Sequence, residues 1–376
     1  MKLYFDCRYI RVNRHDGISR FTAELVRALS ERHDVTMLIS DRRQLSMLPD
    51  LPWKKIGSPT SILEPLVALR VNALAPDIVF SPMQTMGSFG RRYRLVLTVH
   101  DLIYYRHRTP PRSLPGFVRL LWRLYHLWWW PQRFLLNRAD AVAAVSQTTR
   151  DLIAQHHLTT RPVFVVPNAS SLGVRDADEP ARSHPTRKHL VYMGSFMPYK
   201  NVDTLVRAAA LLPDYELHLM SALAEPEQKR LRALAPSARL VFHGGVTDEE
   251  YVRVLSGATA LVTASRDEGF GIPLVESMGL GIPVVVSDIP IFREIGADAA
   301  LYFPADDSTR LAAEVRHLDE PGEWARRSQA CREQAARFNW DSSASALLRA
   351  LEQTLQTEAR PEWGDSVGDV SSAGGH

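Results

Sequence analysis

The stretch "RDEGFGIPLVESMGLGIPVVVSD" at residues 266–288 contains a glycine-rich loop, a helix start and an apolar run. Another apolar run, 258–265, ends where the polar, turn-forming loop begins. Pro273 suits the first turn of a helix, where a missing N–H costs no hydrogen bond. The valine-rich run 282–288 then favours a buried strand. The stretch therefore predicts a strand–helix–strand unit of a parallel sheet.

The same alternation of apolar runs and amphipathic stretches extends along most of the chain, from the N-terminal strand in "MKLYFDCRYI" onward. The helical stretch 18–32 places Phe21, Leu25 and Leu29 four residues apart, on one face. Such alternation predicts an α/β protein with doubly wound, buried parallel sheets. Further strands are predicted at 33–40, 76–82, 93–101, 139–146, 161–168, 189–195, 215–221 and 238–245. Further helices are predicted at 202–212, 225–234, 248–257, 273–280, 290–295 and 340–355.

The polar stretch 170–188 interrupts this alternation and has the composition of an interdomain linker. We therefore expect two Rossmann-like domains, residues 1–180 and 186–340, that face each other across a cleft. Ligands of such sheets bind at the carboxyl ends of the strands. A terminal helix within 340–358 is expected to pack back on the first domain. The glycine- and serine-rich tail 361–376 is expected to be disordered.

Overall composition excludes several classes of protein. A net charge of +3 over 376 residues gives no support to nucleic-acid binding. Cys7 and Cys331 lie far apart and lack the spacing of a zinc site, which indicates a reducing compartment. The N-terminus lacks the apolar core of a signal peptide, and no run of about 18 apolar residues could span a membrane. We therefore expect a cytoplasmic protein.

Two positions suggest binding of an anion and of a polar ligand. Lys200 is predicted at the mouth of a helix that Asn201 could cap, beside free backbone N–H groups, which is an anion site by geometry. The alternative is an ordinary surface lysine. Glu268 is predicted before a helix and Glu276 about one turn inside it, so that the two carboxylates could bracket a ligand of several ångströms. The alternative is that both carboxylates merely stabilise the helix start.

The pattern E-x7-E, "EGFGIPLVE" at 268–276, resembles the signature of the retaining glycosyltransferases of family 4, which have the two-domain GT-B fold. Further motifs agree with that family in order and spacing, so that the resemblance extends from about residue 3 to 355. These motifs are "GISRFTAELVRAL" (17–29), "TVHDL" (98–102), "VSQTTRDLI" (145–153), "VVPNA" (165–169), "HGGVTDEEY" (243–251) and "SDIPIFREIGADAALYFP" (287–304).

The resemblance implies that a set of residues surrounds one nucleotide-sugar donor. Glu276 would hold the ribose hydroxyls, Glu268 would contact the transferred sugar, and Lys200 would neutralise the diphosphate. The remaining implied contacts are the backbone of Phe270, Gly271 and Ile272 with sugar hydroxyls and phosphate, His100 with the sugar, Gly17 with the β-phosphate, and Gly245 and Val246 with the nucleobase.

His100 has an alternative interpretation as a purely structural residue, although its position at a strand end facing the cleft favours a role in the site. Asp101 follows it directly. Since side chains alternate along a strand, Asp101 is expected to point away from His100, and no catalytic dyad is predicted.

The sequence departs from the family pattern at Ser195, where many members carry an arginine that pairs with the diphosphate. Arg266 is expected to supply the missing charge, because it lies two residues before Glu268. Asp176 and Asp178 form a D-x-D pair, a pattern with which many metal-dependent glycosyltransferases hold a metal ion. Here the pair falls in the linker, away from any predicted strand end. We therefore expect no metal and no cofactor, with Lys200 and helix N-termini stabilising the leaving group instead.

Residues 117–136, "FVRLLWRLYHLWWWPQRFLL", combine arginines with a high density of leucine and tryptophan. A basic, aromatic amphipathic helix can lie in a membrane interface, which would suit a lipid-linked acceptor. The alternative is a core helix that packs on the sheet. The nearby clusters "RRYR" (91–94) and "YYRHRTPPR" (104–112) favour peripheral contact with the anionic inner face of a membrane.

These observations predict a retaining hexosyltransferase that acts on a glycan or glycolipid, with mannose from GDP-mannose as the first hypothesis for the donor. The loop "GSFMPYKN" at 194–201 resembles that of several bacterial mannosyltransferases, and UDP-glucose enzymes share it. A UDP-glucose-type transferase is therefore one alternative. A non-catalytic nucleotide-sugar-binding subunit, suggested by Ser195, and a GT-B epimerase are the others.

Overall fold

Thirteen strands and fourteen α-helices form in the part of the chain that this computed structural model describes, residues 1–13, 15–110, 115–172, 185 and 187–357. The strands are β1 Leu3–Asp6, β2 Val35–Ile39, β3 Trp53–Lys55, β4 Ile78–Ser81, β5 Arg94–Val99, β6 Ala141–Ala144, β7 Val163–Val165, β8 His189–Tyr192, β9 Glu216–Leu219, β10 Arg239–Phe242, β11 Ala260–Thr263, β12 Val284–Ser287 and β13 Leu301–Phe303. The helices are α1 Gly17–Ser30, α2 Val67–Asn72, α3 Ile103–Arg106, α4 Gly116–Tyr125, α5 Trp130–Asn137, α6 Gln147–Gln155, α7 Val202–Ala210, α8 Glu225–Leu234, α9 Asp248–Ser256, α10 Ile272–Gly279, α11 Pro290–Gly296, α12 Ser308–His317, α13 Glu323–Ala335 and α14 Trp340–Gln356.

The described strands form two parallel sheets with the orders β3-β2-β1-β4-β5-β6-β7 and β10-β9-β8-β11-β12-β13. Six of the described strands, β1, β4, β6, β8, β11 and β12, are buried along their whole length, as expected for sheets that carry helices on both faces. The predicted fold class of two Rossmann-like domains is confirmed. The sequence interpretation missed β3 and β13, which are only three residues long.

Helix α1 begins at a cap in which Asp16 accepts a hydrogen bond from the Ser19 amide at 2.9 Å. Its apolar face, including Phe21 and Leu25, is completely buried. The C-terminal helix α14 packs against α1 and also contacts β5 and β7. Ser343 of α14 donates a hydrogen bond to the Pro167 carbonyl at 2.7 Å. The end of the described chain therefore rests on the first sheet, after the second sheet has been completed.

Polar contacts join the two domains on either side of the cleft between them. Arg20 of α1 pairs with both carboxylate oxygens of Asp248, at 2.7 and 2.9 Å. Glu294 of α11 accepts hydrogen bonds at 2.7 Å from the Gln147 and Thr148 amides. Glu294 therefore caps the N-terminus of α6, a helix of the opposite domain.

Asn201 precedes α7 but does not cap it, which corrects the prediction. Its backbone adopts a left-handed conformation (φ 52°, ψ 40°), and its side-chain amide donates instead to Ala305 O and Asp306. The predicted linker core, with Asp176 and Asp178, and the tail 361–376 lie outside the described residues. Within the described residues, every helix is too short or too polar to cross a bilayer.

Candidate active site in the cleft between the domains

The carboxyl ends of strands from both sheets open into one cavity of about 440 Å³. The loops after β5, β8 and β11 supply most of its lining. This is the expected position for a ligand of two facing doubly wound sheets. Seven of the predicted site residues line the cavity: Gly17, His100, Lys200, Glu268, Phe270, Gly271 and Ile272.

Lys200 and Glu268 form an ion pair inside this cavity. The Lys200 ammonium donates to Glu268 Oε1 at 2.5 Å, and the Ser265 hydroxyl donates to the same oxygen at 2.8 Å. Both side chains of the pair are largely buried, at 15% and 13% exposure. Lys200 is therefore not an ordinary surface lysine. The pair presents one cation and one hydrogen-bond acceptor to a ligand that enters the cavity.

The loop between Glu268 and α10 is shaped by two close backbone approaches. Gly271 has a left-handed conformation (φ 93°), and a methyl group added there would lie 3.0 Å from the Phe292 ring. A methyl group added at Gly269 would lie 2.4 Å from the His100 carbonyl oxygen, across the domain boundary. Helix α10 then begins at Ile272, with its N-terminal residues on the cavity wall. Amides at a helix N-terminus favour negative charge.

His100 enters the cavity from the first domain as a neutral imidazole. Its Nε2 lies 2.7 Å from the Pro82 carbonyl oxygen, which can only accept, so Nε2 carries the proton. Burial lowers the pKa of His100, although the bond to Pro82 opposes that effect. The ring packs edge-on against Phe21, with centroids 4.9 Å apart. His100 therefore offers an uncharged polar ring in a fixed orientation.

Asp101 also lines the cavity, which the sequence analysis did not foresee. Strand β5 ends at Val99, so His100 and Asp101 both lie in the loop, where strand alternation no longer applies. Asp101 accepts a hydrogen bond from the Ile103 amide at 3.0 Å. Burial raises the pKa of Asp101, and the nearby charge of Glu268 raises it further. The motif "TVHDL" was the available signal, because Asp101 stands next to His100 at a strand end.

Glu276 lies in α10 beyond the residues that line the cavity, and only 6% of it is exposed. Burial raises the pKa of Glu276 to about 7. The charge of Arg20 lowers that pKa, whereas Asp248 raises it, so the interdomain ion pair lies next to this carboxyl. The Tyr251 ring, on α9, lies beside it as well. The Glu276 carboxyl therefore lies next to the Arg20–Asp248 contact between the domains.

The remaining predicted donor residues do not line the cavity. Ser195 is exposed, and its carbonyl accepts a hydrogen bond from the Tyr192 hydroxyl at 2.6 Å. Gly245 and Val246 follow β10, where the Gly245 amide donates to the Met220 carbonyl at 3.1 Å. All three residues follow strands of the second sheet, Ser195 after β8 and the other two after β10, and their predicted contacts with a donor stay predictions.

Arg266, which is expected to supply the cation that Ser195 lacks, does not line the cavity, and its expected contact with a diphosphate stays a prediction. Its guanidinium pairs with Asp306 at 2.5 Å and donates to the Pro198 carbonyl at 3.1 Å. It also donates to Asn201 Oδ1 at 3.0 Å. The charge of Arg266 is therefore neutralised outside the cavity. In the described part of the chain, no cluster of three or more His, Cys, Asp or Glu side chains is arranged to hold a metal ion.

The segment 117–136 forms α4 and most of α5, which differ in burial. No residue of α4, all of which the structure describes, is buried. The interpretation of the segment as a core helix is therefore wrong for α4. In α5, by contrast, Pro131 and Leu136 are buried. Trp129 stacks on Tyr105, with ring centroids 4.4 Å apart, and so fixes the start of α5 to α3.

Comparison with known families agrees with this architecture. A family model described as "Glycosyl transferases group 1" matches residues 174–338, and one described as "Glycosyltransferase Family 4" matches residues 15–172. Together the two models account for both domains, and their boundary falls in the predicted linker.

Two curated relatives are named as mannosyltransferases. The O-antigen chain mannosyltransferase RfbU of Salmonella typhimurium is 24% identical, over 81% of this chain and 87% of that protein. The MMP alpha-(1->4)-mannosyltransferase of Mycolicibacterium hassiacum is 28% identical, over 70% of this chain and 66% of that protein.

Solved structures share the fold at lower identity. The sucrose-phosphate synthase of Thermosynechococcus elongatus aligns with a TM-score of 0.70 at 20% identity, over 94% of this chain and 99% of that one. Anabaena HepE, solved in complex with UDP and glucose, aligns with a TM-score of 0.68 at 19% identity, over 94% of this chain and 100% of that one. Both likenesses extend across the two domains and the cleft.

Proposed function

The chain belongs to the glycosyltransferases of family 4, and we propose that it transfers a hexose from a nucleotide sugar to a glycan or glycolipid with retention of configuration. The observation that carries this proposal is the Lys200–Glu268 pair, which faces the N-terminus of α10 across one cavity between the domains. A cation, an acceptor and free amides within one enclosed space suit a sugar joined to a diphosphate.

Mannose is the sugar that the two relatives described above support, because both are named mannosyltransferases, and we propose GDP-mannose as its donor. A UDP-glucose-type donor is the second candidate, favoured by the fold neighbour HepE, which was solved with UDP and glucose. In either case Glu276 would accept hydrogen bonds from the ribose, and Gly245 and Val246 would contact the base. Entry of the ribose would require the Arg20–Asp248 contact beside Glu276 to open.

The reaction breaks the bond between the anomeric carbon and the β-phosphate oxygen. Negative charge that develops on the phosphate would be stabilised by Lys200 and by the amides of Gly271 and Ile272, without a metal ion. Lys200 would turn from Glu268 toward the phosphate, which leaves the carboxylate to hold a sugar hydroxyl. The acceptor hydroxyl would attack on the face that the phosphate leaves, and the departing phosphate oxygen would take its proton. Closure of the domains would exclude water.

The acceptor is proposed to be a glycan or a lipid-linked glycan that reaches the cleft from the first domain. The exposure of α4 supports a peripheral contact of residues 117–136 with an anionic membrane at its inner face. His100 and Asp101 line the same side of the cavity and would contact the sugars.

The test combines titration and turnover. Calorimetric titration with GDP, UDP and ADP, each with and without EDTA, should give tight binding of one nucleotide that EDTA does not change. The protein should transfer the sugar from GDP-mannose if it binds GDP, and from UDP-glucose if it binds UDP. Glu268→Gln should lose transfer and keep nucleotide binding, whereas the exposed Glu225→Gln on α8 should keep both. Binding without any transfer would favour the non-catalytic subunit, and no binding at all would contradict the proposal.

A further inference from the structure

Exposed apolar side chains are concentrated on one part of the first domain. Of the 16 large hydrophobic residues that are exposed in the described part of the chain, 15 lie between residues 62 and 134, and the other is Leu211. They fall into two segments, 62–69 and 117–134, with Phe89 and Tyr104 between them. The members are Ile62, Leu63, Leu66, Leu69, Phe89, Tyr104, Phe117, Leu120, Leu121, Leu124, Tyr125, Leu127, Trp128, Trp130 and Phe134.

The first segment is anchored by a buried ion pair, and four of its apolar side chains are exposed: Ile62, Leu63, Leu66 and Leu69. Glu64 is buried and accepts two hydrogen bonds from the Arg8 guanidinium, at 2.7 and 2.8 Å. Arg8 is paired in turn with buried Asp6 at the end of β1. Around this anchor Ile62 is 94% exposed and Leu66 is 48% exposed. A buried ion pair that fixes exposed leucines and isoleucine indicates a surface built for contact, since apolar patches of this kind mark interaction sites.

The two segments belong to one continuous face. The Phe89 amide donates to the Pro65 carbonyl at 3.3 Å, and a methyl group added at Gly90 would lie 2.9 Å from Leu69. The ring of Phe89 then meets the ring of Phe134 on α5, with centroids 6.3 Å apart. Phe89 therefore joins the segment 62–69 to α5. We call the surface of residues 62–69, 89 and 117–134 the apolar face.

The stretch that contains the second segment carries charge of one sign. Residues 102–139 contain no aspartate or glutamate. Within α4, Arg119 and Arg123 form no ion pair with any described residue. Such a combination of exposed leucine, tryptophan and arginine complements a lipid surface, in which anionic headgroups cover an apolar interior. The seven arginines of this stretch are Arg106, Arg108, Arg112, Arg119, Arg123, Arg133 and Arg138.

The apolar face is connected to the cleft through α3. This helix begins three residues after His100, which lines the cavity. Its Tyr104 ring meets Trp122 of α4 edge-on, with centroids 5.1 Å apart. A surface bound to the apolar face would therefore lie next to the side of the cleft from which the acceptor is proposed to enter.

We propose that the apolar face docks on an anionic lipid bilayer through both segments, 62–69 as well as 117–134, so that lipid-linked acceptors meet the cleft directly. This inference rests on the proposed function for its consequence, and on exposure, rigidity and charge for the docking itself. One helix alone would leave the tilt of the protein on the bilayer undefined. Two separated insertion points, joined at Phe89, fix the orientation of the cleft.

The test measures sedimentation of the full chain with vesicles of phosphatidylglycerol and phosphatidylcholine, and with vesicles of phosphatidylcholine alone. Binding should require the anionic lipid. Leu66→Ser with Leu69→Ser, and separately Leu120→Ser with Leu124→Ser, should each weaken binding at least about tenfold, since each pair removes two leucines from the bilayer. The control Leu211→Ser, an exposed leucine of the second domain, should bind as the unchanged protein does.

Several outcomes would overturn the proposal. Unchanged binding of the 66/69 variant would remove the first segment from the docking surface, and equal binding to neutral vesicles would remove the charge argument. A concentration-dependent dimer that both double variants dissociate, without vesicle binding, would show that a second copy covers the face. Nucleotide titration of the same variants separates this result from the proposed function, because donor affinity should stay constant while vesicle binding falls.

Discussion

The Glu276 carboxyl lies in a buried environment that disfavours its negative charge, although the proposed function uses that charge to bind a ligand. The carboxyl is buried beside Tyr251, and its pKa is raised to about 7 from an ordinary value of 4.5. The folded protein therefore keeps this proton to higher pH than the unfolded chain does. The raised pKa lowers the free energy of unfolding as pH rises from about 4.5 to 7, by about 3 kcal/mol in total. A donor ribose that hydrogen-bonds the carboxylate would compensate for this loss.

Glu276→Gln should consequently stabilise the free protein at pH 8 and leave its stability at pH 4.5 nearly unchanged. The same variant should bind its nucleotide about ten- to a hundredfold more weakly, because an amide is a poorer acceptor than a carboxylate. Chemical denaturation at both pH values and calorimetric titration at pH 8 measure the two effects. A variant that loses stability at pH 8, or that keeps full nucleotide affinity, would contradict this role of Glu276.

Among the described residues that line the cavity, Lys200 is the one lysine or arginine, and it is therefore the proposed partner of the leaving phosphate. Lys200→Met should lower kcat by about a hundredfold or more, as expected when a donor to developing negative charge is removed. Lys229→Met on α8, where the lysine is exposed and pairs only with Glu225 among described residues, is the matched control. Steady-state transfer assays distinguish the variants, and a loss confined to KM would argue against a role in the transition state.

At the scale of elements, the segment 62–66 depends on the absence of a side chain at Gly87. A methyl group there would lie 1.8 Å from the Glu64 carbonyl oxygen, a backbone atom that cannot move alone. The Gly87 amide also lies 3.3 Å from Glu64 Oε1. The position of the exposed residues Ile62 and Leu66 is therefore set by a backbone contact as well as by the Arg8–Glu64 ion pair.

Gly87→Ala should lower the free energy of unfolding by about 1–3 kcal/mol, because the segment must shift to admit the methyl group. It should also weaken vesicle binding, since the apolar face is displaced. Gly116→Ala at the start of α4 is the control, as nothing lies within 4 Å of the added methyl group. Urea denaturation and vesicle sedimentation measure both properties. Equal stability of the two variants would show that the segment is not held in this way.

The strand–helix–strand unit of residues 266–288 was predictable because its signals are local: an apolar run, a glycine-rich loop and Pro273. The observed β11, α10 and β12 lie where the pattern placed them, within a residue at the helix start. Asp101 and Arg266 were not predictable in the same way. Their roles depend on where a strand ends and on a partner, Asp306, that is 40 residues away in sequence. The exposure of segment 62–69 was not predicted, because it depends on the pairing of Glu64 with Arg8, which the local sequence does not indicate.

For the whole molecule, a direct backbone approach adds to the polar contacts of Arg20 and Glu294 that hold the domains together. Gly269, next to Glu268, packs on the His100 carbonyl of the opposite domain, and the Ser146 hydroxyl donates to the Gly269 carbonyl at 3.2 Å. The proposed action of His100 and Glu268 on one sugar would therefore require this contact. The contact involves no charged group and no left-handed backbone. We therefore expect a substitution at Gly269 to act through the distance between the two domains.

Gly269→Ala should separate the domains and lower kcat for transfer by about tenfold or more, because misplacement of reacting groups by about 1 Å is costly. Nucleotide affinity should fall much less, since the proposed donor contacts lie mostly in the second domain. Gly279→Ala at the end of α10 is the control, because its methyl group would meet no atom within 4 Å. Transfer assays, titration and small-angle scattering test the expectation. Wild-type kcat in the Gly269 variant would exclude this role of the contact.

The Arg20–Asp248 contact between the domains should make transfer sensitive to ionic strength. Both side chains are partly exposed, so dissolved ions reach them and weaken their attraction, whose range shrinks from about 10 Å at 0.1 M to about 3 Å at 1 M. The arginines of α4 are screened in the same way when they face a lipid surface. Added electrolyte should therefore ease the opening of the Arg20–Asp248 contact whichever acceptor is used, and should weaken contact with the lipid surface for a vesicle-bound acceptor alone. The ratio of the two rates becomes a measure of how much of the turnover takes place at an interface.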